Sequence, residues 1–288
     1  MQNLAFVFLF TLTLNVFAQE ELKQYPEQRN YTNTDRGMAK YLAKSLYGTG
    51  KFVLTFDDGP SAANTPRLLD ILQAHGVHAT FFVLTDSIND SMLPLLKRVL
   101  DEGHIIASHG RTHDHSNGLT LAAFQNNVRQ SLLTLKRVYE YAGHPFHSIY
   151  FRYPYGEYGG NASYHHMNAL RELSRELFGD NCIQFVFWDV DTADWVPTMT
   201  SEDIFTNMKA HYTGGRYYDF KLVNGKYVKV PLTMTNPPKG GVILQHDIHE
   251  KNLAAVEMYL NWIKTEAVQV VTLPEVDEFV IERECRFL

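Results

Sequence analysis

The sequence predicts a parallel α/β fold: a barrel of seven strand–helix units carrying an inserted β-hairpin. Three observations lead there. Short apolar runs recur at 52–56, 79–84, 104–107, 148–151, 183–190, 242–245 and 268–273. Stretches with helical spacing separate most of them. A polar residue capable of chemistry directly follows most runs: Asp57 and Asp58, His109, Arg152, Asp191 and Asp194, and His246. Strands alternating with helices give a parallel sheet, and their even spacing favours a barrel over a doubly wound sheet. In a barrel the strand C-termini converge on one mouth, so residues distant in sequence share a cleft.

The elements follow in order. The first eighteen residues carry no charge and run apolar from Leu4 to Leu14 before Gln19-Glu20-Glu21. This predicts a signal peptide over 1–18 cleaved after Ala18, although no Lys or Arg precedes the apolar run. An uncleaved anchor or a buried strand is the alternative. Residues 19–50 read as a polar lead-in with a short helix from Met38 to Tyr47, stopped by Gly48 and Gly50. From Lys51 the domain (51–288) begins. Leu68, Leu69 and Leu72 share one helical face, as do Leu95, Leu96 and Val99, and again Val128, Leu132, Leu135 and Val138. Over 214–240 the rhythm breaks. Two β-like runs flank Asn224-Gly225, a two-residue hairpin signal, and the inserted hairpin either contacts a polymer or covers an edge.

Of 288 residues, 45% are hydrophobic and 13% aromatic, which suits a globular chain with a sizeable core and argues against disorder. The net charge of −6 without a basic tract speaks against a nucleic-acid partner. Beyond residue 18 no segment has membrane length, so the mature chain carries no transmembrane segment. Cys182 and Cys285 are the only cysteines, and the sequence leaves open whether they form a bridge or remain buried thiols.

Adjacent carboxylates at the end of a buried strand are costly unless a cation relieves them. The pair His109 and His113, four residues apart, supplies imidazoles that one turn aims at a common point. Two histidines and one carboxylate make a facial set for a divalent metal, leaving the second aspartate for proton chemistry. Taken alone, Asp57-Asp58 reads as a turn cap before Gly59-Pro60, and the histidines as surface residues. Together they favour the metal reading. His115, His165 and His166 lack a partner motif and read as solvated surface. Asp247 and His249 follow His246 closely and belong behind the site rather than in it.

Five ordered motifs resemble those of the polysaccharide deacetylases (carbohydrate esterase family 4, the NodB homology domain). They are Thr55-Phe56-Asp57-Asp58-Gly59-Pro60, His109 with His113, Arg152-Tyr153-Pro154-Tyr155-Gly156, Asp191-Thr192-Ala193-Asp194-Trp195, and Leu244-Gln245-His246. The resemblance runs from about Lys51 to Leu273. It implies a distorted (β/α)7 barrel and hydrolysis of N-acetyl groups on a sugar polymer, commonly with zinc. It further implies Asp58, His109 and His113 as metal ligands and Asp57 as general base held by Arg152. His246 would be the general acid oriented by Asp194, the backbone N–H of Tyr155 an oxyanion donor, and Trp195 and Leu244 walls of an acetyl pocket. Apart from the resemblance, Asp191 reads as orienting its strand end or capping a loop.

The chemistry agrees with these roles. Amide hydrolysis needs a base for water, an acid for the departing amine and a fixed donor for the oxyanion. Arg152 is expected to lower the pKa of Asp57, and Asp194 to raise that of His246. The sequence therefore reads as an exported enzyme, in the periplasm or secreted, acting on an N-acetylated glycan. With export, peptidoglycan N-acetylglucosamine or N-acetylmuramic acid is the nearest substrate. Chitooligosaccharide and poly-N-acetylglucosamine are the alternatives, together with O-acetyl esters, small amides, or a lapsed enzyme that only binds glycan. Zn2+ is the expected metal, with Co2+, Mn2+ and Ni2+ also compatible with the donors. Arg111, between the two histidines, is expected to meet an anionic substrate group.

Overall fold

The computed structural model describes residues 42–146, 149–159, 165–179, 182–281 and 284–288. The expected signal peptide and most of the lead-in lie outside these residues. Every short apolar run became a strand, all of them parallel. Strand β1 (Lys51–Asp57) is central, followed by β2 (Thr80–Val83), β3 (Ile105–Ser108), β4 (Ile149–Phe151), β5 (Ile183–Phe185) and β6 (Val190–Asp191). The hairpin strands are β7 (Gly215–Val223) and β8 (Lys226–Met234), and β9 (Gly241–His246) and β10 (Gln269–Val270) complete the set. The main sheet runs β5-β4-β3-β2-β1-β9-β6, with β10 beside the start of β1. Its register puts Asp57 opposite His246 on one side and Phe82 on the other.

Both faces of β1 are buried, and the alternation sorts them. Phe52, Leu54 and Phe56 pack outward against Leu68, Leu69 and Leu72 of α1 (Thr65–His75) and Tyr259 of α6 (Glu250–Ile263). Val53 joins Phe82, Ala107, Tyr150, Val186 and Val242 from neighbouring strands inside the curl. The remaining helices are α2 (Leu93–Asp101), α3 (Leu121–Ala142), α4 (His165–Leu177) and α5 (Ser201–Thr213). Among the described residues, no helix is long and apolar enough to cross a membrane.

Three expectations are corrected here. The run 183–190 is two short strands, not one, because the chain crosses from the β4 edge to the β9 edge. Val186 N–H donates to Phe151 O and Asp189 N–H to Val242 O, each at 2.9 Å. The strands β5 and β6 do not pair, and the gap is filled by the Arg152 side chain. Its Nε donates to Val186 O at 3.0 Å, and its guanidinium lies 4.1 Å from the Phe82 ring centre. The helix expected over Met38–Tyr47 is, within the described residues, only a 3-10 turn at Lys44–Leu46. Its Leu46 packs with Val242, Leu273 and Phe279 and seals the N-terminal end of the barrel. The last strand is also shorter than its apolar run, because Thr272 and Glu275 form a capping box that starts a new turn.

The hairpin forms as expected, with Val223 opposite Lys226 and both turn residues at positive φ (Asn224 49°, Gly225 75°), the geometry of a type I′ turn. It docks on α5 through Asn207, which both accepts from Tyr218 N–H and donates to Tyr218 O. Cys182 and Cys285 form a disulfide, so the open question resolves to a bridge closing a span of 103 residues.

Candidate active site

The strand ends bring the polar motifs together at one mouth. Asp57 ends β1 with its carboxylate buried, and Asp58 turns away at φ 71°, a left-handed conformation that Asp tolerates better than most residues. Behind that turn lies Asp247. A Cβ on Gly59 would stand 2.4 Å from Asp247 Oδ1, so only glycine admits this approach. Asp247 also accepts from the Thr65 hydroxyl. Burial pushes its carboxyl up to about 7.

Asp58 Oδ1 is 3.5 Å from both His109 Nε2 and His113 Nε2. The ligand atoms of these three residues all lie within 4.8 Å of one another. His109 Nδ1 is 2.9 Å from the Arg152 carbonyl, which can only accept; Nδ1 therefore carries the proton and Nε2 presents its lone pair. Burial pulls the His109 pKa down to about 3, keeping the ring neutral as ligation requires. Asp58 Oδ1 is buried without a hydrogen-bond partner in the protein. An orphaned carboxylate oxygen facing two imidazole nitrogens fits a divalent cation.

Arg152 NH1 donates to Asp57 Oδ1 at 2.7 Å and to Thr55 Oγ1 at 2.8 Å, and its side chain is wholly buried. The expected lowering of Asp57 does not result. Burial raises its pKa by more than Arg152 and His246 lower it, because the carboxylate has lost nearly all contact with water. For His246 the expected direction holds. Burial alone would lower it, but Asp194, then Asp57 and Asp58, outweigh that and push it up to about 10. Asp194 grips His246 twice: Oδ1 is 2.7 Å from Nδ1, and Oδ2 accepts the backbone N–H at 2.7 Å. His246 Nε2 then faces the cluster, 3.9 Å from Asp58 Oδ2.

Asp191 accepts from Ala193 N–H at 2.8 Å and so holds the left-handed Ala193 (φ 55°) that aims Asp194. Leu244 is buried two residues before His246, and half-buried Trp195 meets the hairpin rings of Phe220 and Tyr227 at 4.5 and 5.0 Å. Tyr155 adopts φ 56°, at a cost of about 1–2 kcal/mol for a residue with a Cβ. Its half-exposed ring lies 4.3 Å from the His113 ring and stacks on His115 at 3.9 Å. Such aromatic pairs contribute about 0.5–1.5 kcal/mol each.

One histidine sits otherwise than the sequence implies. His166 is not solvated surface. It is fully buried against Phe124, because α4 turns it inward with Met167, Leu170 and Leu173. His115 is exposed as expected but has partners, Tyr155 and Glu157. The side chain of His165 lies outside the described residues. Arg111 is at the rim, its Nε 3.1 Å from Asp86 Oδ1. His249 contacts the His246 ring at 5.8 Å and supplies no ligand. The tight Asp247–Gly59 contact had no local sequence signal.

Residues 47–173 match the sequence profile described as polysaccharide deacetylase. The chain belongs to the polysaccharide deacetylase family. The profile carries the first three motifs, and the two later ones lie beyond it. Among curated deacetylases, a peptidoglycan-N-acetylglucosamine deacetylase of Listeria monocytogenes is 32% identical over 225 residues, 78% of this chain and 38% of the relative. A Bacillus cereus enzyme of the same description is 29% identical over 248 residues, 84% of this chain and 74% of that one. The chain thus spans well under half of the Listeria relative. A solved peptidoglycan N-acetylglucosamine deacetylase, in complex with an N-hydroxybenzamide compound, superposes with a TM-score of 0.60 at 26% identity. That match covers 82% of this chain and 92% of the other.

Proposed function

We propose that this polysaccharide deacetylase is an exported, metal-dependent hydrolase that removes acetyl groups from N-acetylated amino sugars of peptidoglycan. One observation carries the reading: the Asp58–His109–His113 donor set has, around one mouth, a buried carboxylate held by arginine and an imidazole held by carboxylate. The description of the Listeria and Bacillus cereus relatives supports peptidoglycan N-acetylglucosamine as the substrate. The Cys182–Cys285 bridge supports export, since disulfides persist in oxidising compartments.

Asp58, His109 and His113 would hold the ion. A bound divalent cation, Zn2+ in this proposal, polarises the acetyl carbonyl and acidifies water at neutral pH. Asp57 takes the proton of the attacking water, and Arg152 fixes the carboxylate that receives it. The backbone N–H of Tyr155 donates to the oxygen that gains charge. His246, kept protonated by Asp194, delivers a proton to the sugar nitrogen as the C–N bond breaks, so that free amine and acetate leave. Trp195 and Leu244 enclose the acetyl methyl.

Acetate release from peptidoglycan and from chito-oligosaccharides, measured side by side with zinc-loaded protein, tests this. Release that stops with a chelator and returns with zinc is the expected result, faster on peptidoglycan. Preference for chito-oligosaccharide would move the substrate, and no release from either with zinc bound would overturn the enzyme reading.

A further inference from the structure

The left-handed backbone of Tyr155 has to be held by something, and its half-exposed side chain is not held by the core. The ring is met by two imidazoles. His113 tilts against it, whereas the His115 ring lies parallel, with 9° between the planes. His115 is itself tied down. Its Nδ1 is 3.0 Å from Glu157 Oε1, and Glu157 Oε2 accepts from Asn117 N–H at 3.1 Å. Asn117 Oδ1 in turn accepts from Gly159 N–H at 2.9 Å. The segment after β3 and the segment after β4 are thus cross-tied next to the stacked rings.

We propose that His115 is a positioning residue. Its ring clamps Tyr155 in the left-handed conformation and so aims the Tyr155 backbone N–H into the mouth, while Glu157 fixes the clamp. The stacking contribution and the cost of the left-handed conformation are of similar size, so removing one ring shifts the balance of Tyr155 conformers without unfolding the loop. A His is suited to the place because it combines a flat face for Tyr155 with an edge nitrogen for Glu157. The inference rests on the deacetylase reading only where the N–H is taken as the oxyanion donor.

The test uses full-length, zinc-loaded protein and three variants, His115→Ala, His115→Gln and His115→Phe. Phe keeps the face and loses the Glu157 contact, whereas Gln keeps a polar group and loses the face. On N-acetylated chito-oligosaccharide, Ala and Gln are expected to lower kcat roughly five- to tenfold with KM little changed, and Phe to restore most of kcat. Zinc affinity by chelator competition should be the same in all. Full kcat in the Ala variant, or Gln matching Phe, would overturn the clamp; so would zinc loss in Ala, which would place the effect on His113. A crystal structure of His115→Ala gives a readout free of activity: Tyr155 should leave the left-handed region, and a retained positive φ would refute the proposal. If the wild-type protein released no acetate while Tyr155 moved in the variant, the deacetylase reading would fail and the clamp would stand.

Discussion

Asp57 and Asp58 are neighbours with opposite surroundings. Asp57 is shut behind Arg152, while Asp58 turns an unpaired oxygen toward two imidazoles. Their substitutions should therefore separate. Asp58→Ala or His109→Ala should lose bound metal, read by metal content after gel filtration. Asp57→Asn should retain metal but lose turnover about 10²–10⁴-fold, the usual range for a general base. An active Asp57→Asn protein would remove Asp57 from that role. A second residue-scale outcome concerns Asp194. In metal-free protein the His246 ring should titrate far above 6.5, near 10, and Asp194→Asn should bring it down by removing the largest attraction acting on it. NMR of the imidazole protons gives both values, and an unshifted His246 would refute the pairing. The main candidate residues were legible because each combines chemistry-bearing residue types with a position at a strand end. His115 was not, since its meaning comes from Tyr155, forty residues on and reached only through the fold.

At the scale of elements, local signals and pairing signals fared differently. Asn224-Gly225 encodes its turn locally, because two successive positive φ values are cheap only for such residues. Nothing lies within 4 Å of the place a Gly225 Cβ would occupy, so Gly225→Ala meets only the backbone penalty. Hydrogen exchange of the hairpin amides should then speed up roughly five- to thirtyfold, corresponding to about 1–2 kcal/mol, with the rest of the protein unchanged. Unaltered exchange would mean that docking through Asn207 and Trp195, not the turn, sets hairpin stability. The run 183–190 shows the converse. Its apolar pattern is continuous, but the break into β5 and β6 is dictated by which neighbours Val186 and Asp189 find. That information lies at Phe151 and Val242, not within the run.

The whole molecule is closed by two long-range devices. The disulfide ties the entry of β5 to the C-terminal segment, and a loop of this length contributes about 4–5 kcal/mol in the chain-entropy account. Cys285→Ser should lower the melting temperature markedly while leaving metal content intact, because the bridge is remote from the donor set. The second device is electrostatic. His246 and Asp247 both have folded pKa values above their unfolded ones, to about 10 and about 7 respectively. A raised pKa stabilises fully below the unfolded value and is lost as pH rises through the folded one. For His246 that window runs from 6.5 to about 10, and for Asp247 from 3.8 to about 7. Metal-free protein should consequently unfold at lower urea concentration at pH 9 than at pH 6, and Asp247→Asn should lessen the difference below pH 8. A flat profile would contradict both shifts.

Arg152 joins these scales. Where a complete barrel would place one more strand pairing, this chain places a guanidinium bonded to Thr55, Asp57 and two carbonyls of the crossing segment. The carboxylate proposed as the base is therefore bonded to the same group that seals the wall. A mutational screen scored on turnover and one scored on soluble yield would both rank position 152 near the top, and for one reason. Under the proposed mechanism the chain cannot trade catalytic competence for robustness at a residue where the two are one set of bonds.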